Sequence, residues 1–303
     1  MEEYINKVKL NYDFYSGKDE YSDGDIEDKL LEIVKNIKDE EDLEEFLVNE
    51  SEWTYLYHFS KIRHNILDWY KFEKKASLLE IGAGCGAITG LFCEKVDRVV
   101  AVDLSKKRST INAYRNKEYD NLEIIVGNFE DIKISEKFDY ISLIGVLEYS
   151  LYYIDSLNPF VDMLKKVKSM LKDDGKLFIA IENKYGLKYW AGATEDHTGG
   201  FFDGIQGYGD TKRVRTFSRD KLLELLSIAG FKNNEIYYPV PDYKMPLEIY
   251  SDKYLPTKGS IHDVTPAYDR DRYVLFDEPL VYDSLCEDGL FSQFANSFLT
   301  VSQ

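Results

Sequence analysis

The nine residues Leu79–Ala87, LEIGAGCGA, constrain this chain more than any other stretch. An apolar run that ends in alternate glycines and leads into a helical pattern predicts a buried strand, a tight turn and a helix. Glycines carry no Cβ, so the backbone of such a turn can come close to a ligand, and the helix N-terminus beyond it suits polar or anionic groups.

That passage is one step of a longer alternation. Apolar runs at Ser77–Ile81, Arg98–Val102, Leu122–Val126, Phe138–Ile144 and Lys176–Ile181 read as strands. Helical patterns fill the gaps at Ala87–Val96, Lys106–Asn116 and Pro159–Leu171, and a turn at Lys172–Gly175 feeds the fifth strand. Ser218 opens a further helix that Gly230 stops, a strand follows at Glu235–Val240, and Ala295–Val301 closes the pattern. Regular alternation of this kind predicts a mostly parallel α/β sheet with helices on both faces.

The flanks read differently. Residues 1–75 are expected to form a helical N-terminal cap, with helices at Ile26–Ile37, Glu40–Leu47 and Tyr55–Tyr70 and no strand in the first fifty residues. The main domain is then 76–303. Within it, the glycine- and aromatic-rich stretch 183–216 is expected to be a lid or acceptor loop, because long structureless connections usually serve a site. The tyrosine-rich stretch 241–292 reads as an insertion before the last strand.

Composition narrows the partners. A formal charge of −17 repels polyphosphate backbones, and the basic stretches at Lys106–Arg108 and Lys212–Arg215 are short, so nucleic acid is not expected. Cys85, Cys93 and Cys286 show neither metal spacing nor a disulfide framework, and no metal is expected. The absence of an apolar leader or a membrane-length apolar run points to a cytoplasmic protein with no membrane span.

The glycine turn fits two ligands. Gly82, Gly84 and Ala87 satisfy the dinucleotide pattern, and Asp103 lies about 20 residues on, where a ribose-binding acid belongs. The first alternative is therefore a nicotinamide-dependent oxidoreductase. Glu80, two residues before the first glycine, the long helical prelude and the order of later landmarks favour S-adenosylmethionine (SAM).

Those landmarks resemble the class I SAM-dependent methyltransferases. They are Asp103 in VVAVDLS, the polar pair in Gly127-Asn128-Phe129-Glu130-Asp131, the loop in ISLIGVLEYS, the LKDDGKL turn and the helix FSRDKLLELLSIAGF. The resemblance implies a Rossmann-like seven-stranded sheet and a SAM cradle of Glu80, Gly82, Gly84, Asp103, Leu104, Asn128, Phe129 and Gly145. In that cradle Asp103 takes the ribose hydroxyls, while Leu104, Asn128 and Phe129 meet adenine. Glu80 fits equally as an acid that steadies the turn through its amides. A narrower resemblance, carried by YHFSKIRHNILDWY, ENKYGLKYWAGATEDHTG, YYPVPDYKMPLEIYSD and FANSFL, is to methyltransferase domains of bacterial capsule and O-antigen clusters. It implies O-methylation of a glycan or small-molecule acceptor and a fused or associated glycosyltransferase module, and an end at Gln303 suits a chain trimmed to the methyltransferase domain.

Candidate chemistry follows from methyl transfer, which needs alignment, a dry site and at most one base. His197 in ATEDHTGG is the expected base, since a histidine near its ordinary pKa of ~6.5 can deprotonate a hydroxyl. Glu182 and Glu148 are the further catalytic candidates, and Tyr185 and Asp196 are expected at the acceptor. His58 and Arg63 on the prelude are expected to meet the donor's carboxylate. Tyr237, Tyr238, Tyr243, Tyr250 and Tyr254 offer flat surfaces for a sugar. A non-catalytic SAM-binding or partner-binding module is the alternative from a different class.

Overall fold

The computed structural model describes residues 2–19, 22, 24–38, 40–50, 52–209, 214–262 and 272–303. They form two compact units, Met1–Leu143 with Met170–Gly175 and Ile144–Ser169 with Lys176–Gln303.

The first unit opens with strands β1 (Glu2–Ile5) and β2 (Val8–Phe14), then helices α1 (Ile26–Asn36), α2 (Glu40–Asn49) and α3 (Trp53–Phe59). It continues with β3 (Ser77–Ile81), α4 (Thr89–Lys95), β4 (Arg98–Asp103), α5 (Lys106–Arg115), β5 (Leu122–Gly127) and β6 (Phe138–Ile144). Strand order is β1-β2-β5-β4-β3-β6, and every pairing except the β1–β2 hairpin is parallel. The runs LLEI and VVAVD are buried nearly throughout, as parallel strands covered on both faces require.

The N-terminal cap is therefore not wholly helical. Asn6, at φ +51°, turns the chain between Ile5 and Val8, and β2 then adds to the sheet beside β5. Val8 and Leu10 are completely buried there. The alternation Val8, Leu10, Tyr12, Phe14 has the strand period, but it is short and interrupted by charged and polar residues. Behind it, α1 packs on α5, and Leu30, Val34, Tyr55, Phe59 and Ile111 share one apolar cluster. Each such side chain contributes roughly 1.5–3 kcal/mol on full burial. The helix expected at Tyr55–Tyr70 breaks at Ser60, whose Oγ accepts from Ile62 N at the start of a 3₁₀ turn, Lys61–Ile66.

Strand β7 (Leu171–Glu182) starts in the first unit and runs into the second; the turn expected at Lys172–Gly175 is part of it. The second unit also holds α6 (Ser150–Tyr153), α7 (Pro159–Ser169), α8 (Leu187–Trp190), α9 (Arg219–Ile228), β8 (Asn234–Val240), β9 (Glu248–Ser251), α10 (Glu278–Glu287), α11 (Phe291–Phe294) and β10 (Ser297–Ser302). Its strand order is β7-β10-β8-β9, with β10 antiparallel to both neighbours and buried along its whole length.

The seven strands read from the sequence are all present, as β3 to β8 and β10. The described residues hold ten, because the β1–β2 hairpin and β9 extend the pattern. The insertion contains β9 and α10, and residues 263–271 of it lie outside the described residues. No described helix is long and apolar enough to cross a membrane.

Candidate active site

In the first unit the glycine turn is locked to the end of β4. Gly82 N and Ala83 N both donate to Val102 O, and Gly84 N donates to Asp103 Oδ2 at 2.8 Å. Gly82, Gly84 and Gly86 all have φ between +53° and +78°, a left-handed conformation that favours glycine. A Cβ on Gly84 would meet only Arg108 Nη1, at 3.9 Å, so the turn leaves room in front of its backbone. Asp103 Oδ1 accepts from Ser105 N, which leaves each carboxylate oxygen a lone pair to spare. Burial pushes the Asp103 carboxyl up, against the nearby charge of Arg108.

Glu80 does not hold the turn's amides. Its Oε2 accepts from Thr89 Oγ1 at 2.6 Å, and Thr89 in turn accepts from Asn112 Nδ2. Burial raises its carboxyl to about 8. The His58 ring is buried beside Arg108, Arg63 and Arg115, and burial with those charges lowers its pKa to about 3. Arg63 is buried with its guanidinium 4.2 Å from the Tyr57 ring centroid. Leu104 and Asn128 are half-buried and Phe129 is buried at the ends of β4 and β5. The set offers an acid for a diol, arginines for a carboxylate and apolar surface for a ring, which is the donor chemistry that SAM needs.

In the second unit the structure brings Glu148, Glu182 and His197 together. Glu182 ends β7, Glu148 lies in the 3₁₀ turn that follows β6, and His197 comes from the stretch after α8. His197 Nε2 is 3.6 Å from Glu148 Oε1 and 3.8 Å from Glu182 Oε2, and its Nδ1 is 3.0 Å from Glu195 Oε1. Gly145 lies against this cluster: a Cβ there would meet Tyr243 Oη at 2.9 Å. Burial lowers the His197 pKa, but the Glu182 charge and the Glu148 and Glu195 contacts raise it further, to about 11. The acids around it thus favour the protonated ring. Burial raises the Glu148 carboxyl as well.

A second layer steadies these groups. Lys244 Nζ lies 2.6 Å from Glu182 Oε1 and 2.7 Å from Asp196 Oδ1. Asp196 Oδ2 takes Lys188 at 2.9 Å and the Tyr189 hydroxyl at 2.5 Å. Both carboxylate oxygens of Asp196 are thereby engaged by the protein, and Lys188 and Lys244 hold it ionised against burial. Asp196 therefore ties Lys188, Tyr189 and Lys244 into one network. Tyr185 is half-buried under Lys184, whose Nζ sits 4.7 Å from its ring centroid.

Sequence reasoning missed Glu195, Lys188, Asp242 and Lys244. Glu195 stands two residues before His197 and was within reach of a motif reading; the others carry no local signal. The tyrosine platform also shifts. Tyr238 and Tyr243 are core residues, at 0% and 3% exposure. Tyr254 is exposed, at 78%, and large exposed aromatics also occur at Trp190, Phe201, Phe202 and Tyr273, with the Phe201 and Tyr273 rings 5.9 Å apart.

A glycine turn closed on a strand-end acid in a parallel sheet, followed by an antiparallel closing strand, defines an α/β protein of the SAM-dependent methyltransferase class. The chain belongs to the methyltransferase domain family, whose model matches residues 53–236, more than half of the chain. An uncharacterized methyltransferase of Staphylococcus carnosus is 34% identical over 34% of this chain and 45% of its own length. A ubiquinone biosynthesis O-methyltransferase of Pelagibacter ubique is 28% identical over 41% of this chain and 51% of its own. The chain thus spans about half the length of these curated relatives. Among solved structures, a SAM-dependent methyltransferase of Thermotoga maritima, described as a possible histamine N-methyltransferase, is similar. It has 15% identity and a TM-score of 0.48, with 86% of this chain and 97% of that one covered.

Proposed function

We propose that this chain transfers the methyl group of SAM to a hydroxyl of a sugar or a related surface-polymer precursor. The observation that carries the reading is one chain holding both a glycine turn bonded to a buried acid, Gly84 and Asp103, and a buried acid–histidine cluster. SAM, when bound, supplies an electrophilic methyl group on sulfur. Asp103 would hold the ribose diol, Arg63 the amino-acid carboxylate, and Leu104, Asn128 and Phe129 the adenine. Glu148 and Glu182 each keep one buried oxygen without a hydrogen-bond partner, and these suit an acceptor hydroxyl and the proton it gives up.

The exposed rings of Trp190, Phe201, Phe202 and Tyr273 suit the apolar face of a sugar. The resemblance to methyltransferase domains of capsule and O-antigen clusters supports the same acceptor class, and a glycosyltransferase acting on that polymer is the expected partner. The formal charge of −17 weighs against RNA. Calorimetric titration with S-adenosylhomocysteine and with NAD, followed by transfer of labelled methyl to nucleotide sugars and glycans, tests this. Binding of NAD alone would make the chain an oxidoreductase. Homocysteine-adduct binding without any methylated glycan would remove the sugar acceptor.

A further inference from the structure

The residues Glu148, Glu182 and His197 come from three separate stretches of chain, so no ligand spacing is visible in the sequence and none was read there. In the structure, one ligand atom from each lies within 4.8 Å of the other two. We propose that they form a binding site for one divalent cation of intermediate hardness, such as Mn²⁺ or Zn²⁺.

Four observations carry this. The first is spacing. Ligands at ~2.1 Å from a tetrahedral ion stand roughly 3.4 Å from one another. The two His197 Nε2 to carboxylate distances, 3.6 and 3.8 Å, lie within a few tenths of an ångström of that edge.

The second is unmet bonding. Glu148 and Glu182 are 1% and 0% exposed, and Oε2 of each has no hydrogen-bond partner. Glu182 Oε1 is engaged by Lys244 and by the Tyr243 hydroxyl, which leaves Oε2 as the oxygen facing His197. Buried carboxylate oxygens are costly to leave without a partner.

The third is the orientation of the ring. Glu195 Oε1 lies 3.0 Å from His197 Nδ1, and Glu195 Oε2 accepts from the backbone N of His197 and Thr198. A carboxylate can only accept, so Nδ1 carries a hydrogen and Nε2 faces the two acids. This is the carboxylate–histidine arrangement that fixes ligand histidines in metal sites.

The fourth is charge. The carboxylates Glu148, Glu182, Glu195, Asp196 and Asp242 outnumber Lys188 and Lys244 by three formal charges, and an ion bound at His197 Nε2 takes the place of the ring proton in offsetting them. One divalent ion offsets most of them. Imidazole with two carboxylates selects Mn²⁺, Fe²⁺ or Zn²⁺ over Ca²⁺, which prefers an all-oxygen cage.

The test is titration of the full chain with Mn²⁺, followed by electron paramagnetic resonance of the free ion, and with Zn²⁺ by calorimetry. The expected result is one ion per chain, with electron spin echo modulation from a single imidazole nitrogen in the wild-type protein. Glu148→Gln and Glu182→Gln should each weaken binding by at least ~10-fold, and Glu195→Gln by roughly 10-fold through loss of the orienting partner. Affinity for S-adenosylhomocysteine, measured on the same samples, reports separately on folding and on the methyltransferase reading. Absence of both ions from the wild-type chain at millimolar concentration would overturn the proposal. So would Mn²⁺ bound without nitrogen coupling, or binding indifferent to both glutamine variants in chains that keep their homocysteine-adduct affinity. The wild-type nitrogen signal decides the matter even where a variant fails to fold.

Discussion

Glu80 accepts a 2.6 Å hydrogen bond from Thr89, so the acid two residues before the glycine turn is tied to the helix after it. The pair is buried, and burial raises the Glu80 pKa from its ordinary 4.5 to about 8. Between those values the folded chain keeps a proton on Glu80 that the unfolded chain has lost. Its contribution to stability is full below pH 4.5 and disappears as the pH rises through 8. The change is on the order of a few kcal/mol. Glu80→Gln, neutral throughout, should flatten the fall in urea stability between pH 5 and pH 8. Parallel slopes for the two proteins would show that Glu80 ionises normally.

Asp103 has a different task. Both of its oxygens accept one backbone amide, from Gly84 and Ser105, so the carboxylate shapes the turn and stays able to take a diol. Asp103→Asn places an NH₂ group against one of those amides and removes the charge from the diol's acceptor. Charge-assisted hydrogen bonds are worth about 1.5–3 kcal/mol, so affinity for S-adenosylhomocysteine should fall roughly 10- to 100-fold by calorimetry. An unchanged affinity would move the ribose elsewhere.

These two sites were readable to different depths. Strands β3 to β6 and the Gly82–Gly86 turn announce themselves because buried parallel strands need unbroken apolar runs, and left-handed turns favour glycine. Asp103 followed from its place at the end of a strand. Glu148, Glu182 and His197 were named one by one from their positions after β6 and β7, yet their meeting was invisible, since 49 residues separate the outermost pair. The upward shift of the His197 pKa was out of reach for the same reason. A histidine's pKa depends on neighbours such as Glu182 that only folding supplies. The β1–β2 hairpin was missed because two buried residues, Val8 and Leu10, are too few to stand out in an acidic stretch.

The ion pair between Arg108 and Glu27, 2.8 Å long, joins α5 to α1 beside the glycine turn. The Glu27 side chain is 1% exposed and Arg108 13%. Removing one member of a buried pair leaves the other charge uncompensated, at a cost of about 3–5 kcal/mol. Glu27→Gln should lower urea stability by an amount toward the lower end of that range, since Arg108 retains some solvent. The double variant with Arg108→Met should recover part of the loss. A Glu27→Gln protein as stable as wild type would show that the pair contributes nothing net.

Phe201 and Tyr273 stand 45% and 68% exposed with their rings 5.9 Å apart, an arrangement that leaves aromatic surface facing water. Removing exposed rings changes stability little, generally within ~0.5 kcal/mol. If the rings carry the acceptor, Phe201→Ala and Tyr273→Ala should raise the acceptor KM by roughly 10-fold, the equivalent of about 1.4 kcal/mol of lost stacking. The affinity for S-adenosylhomocysteine should not move, because Gly84 and Asp103, the cradle proposed above, are untouched. Steady-state kinetics on the first methylated glycan identified would check both halves. A drop in kcat with an unchanged KM would place these rings in the closing of the site rather than in sugar contact.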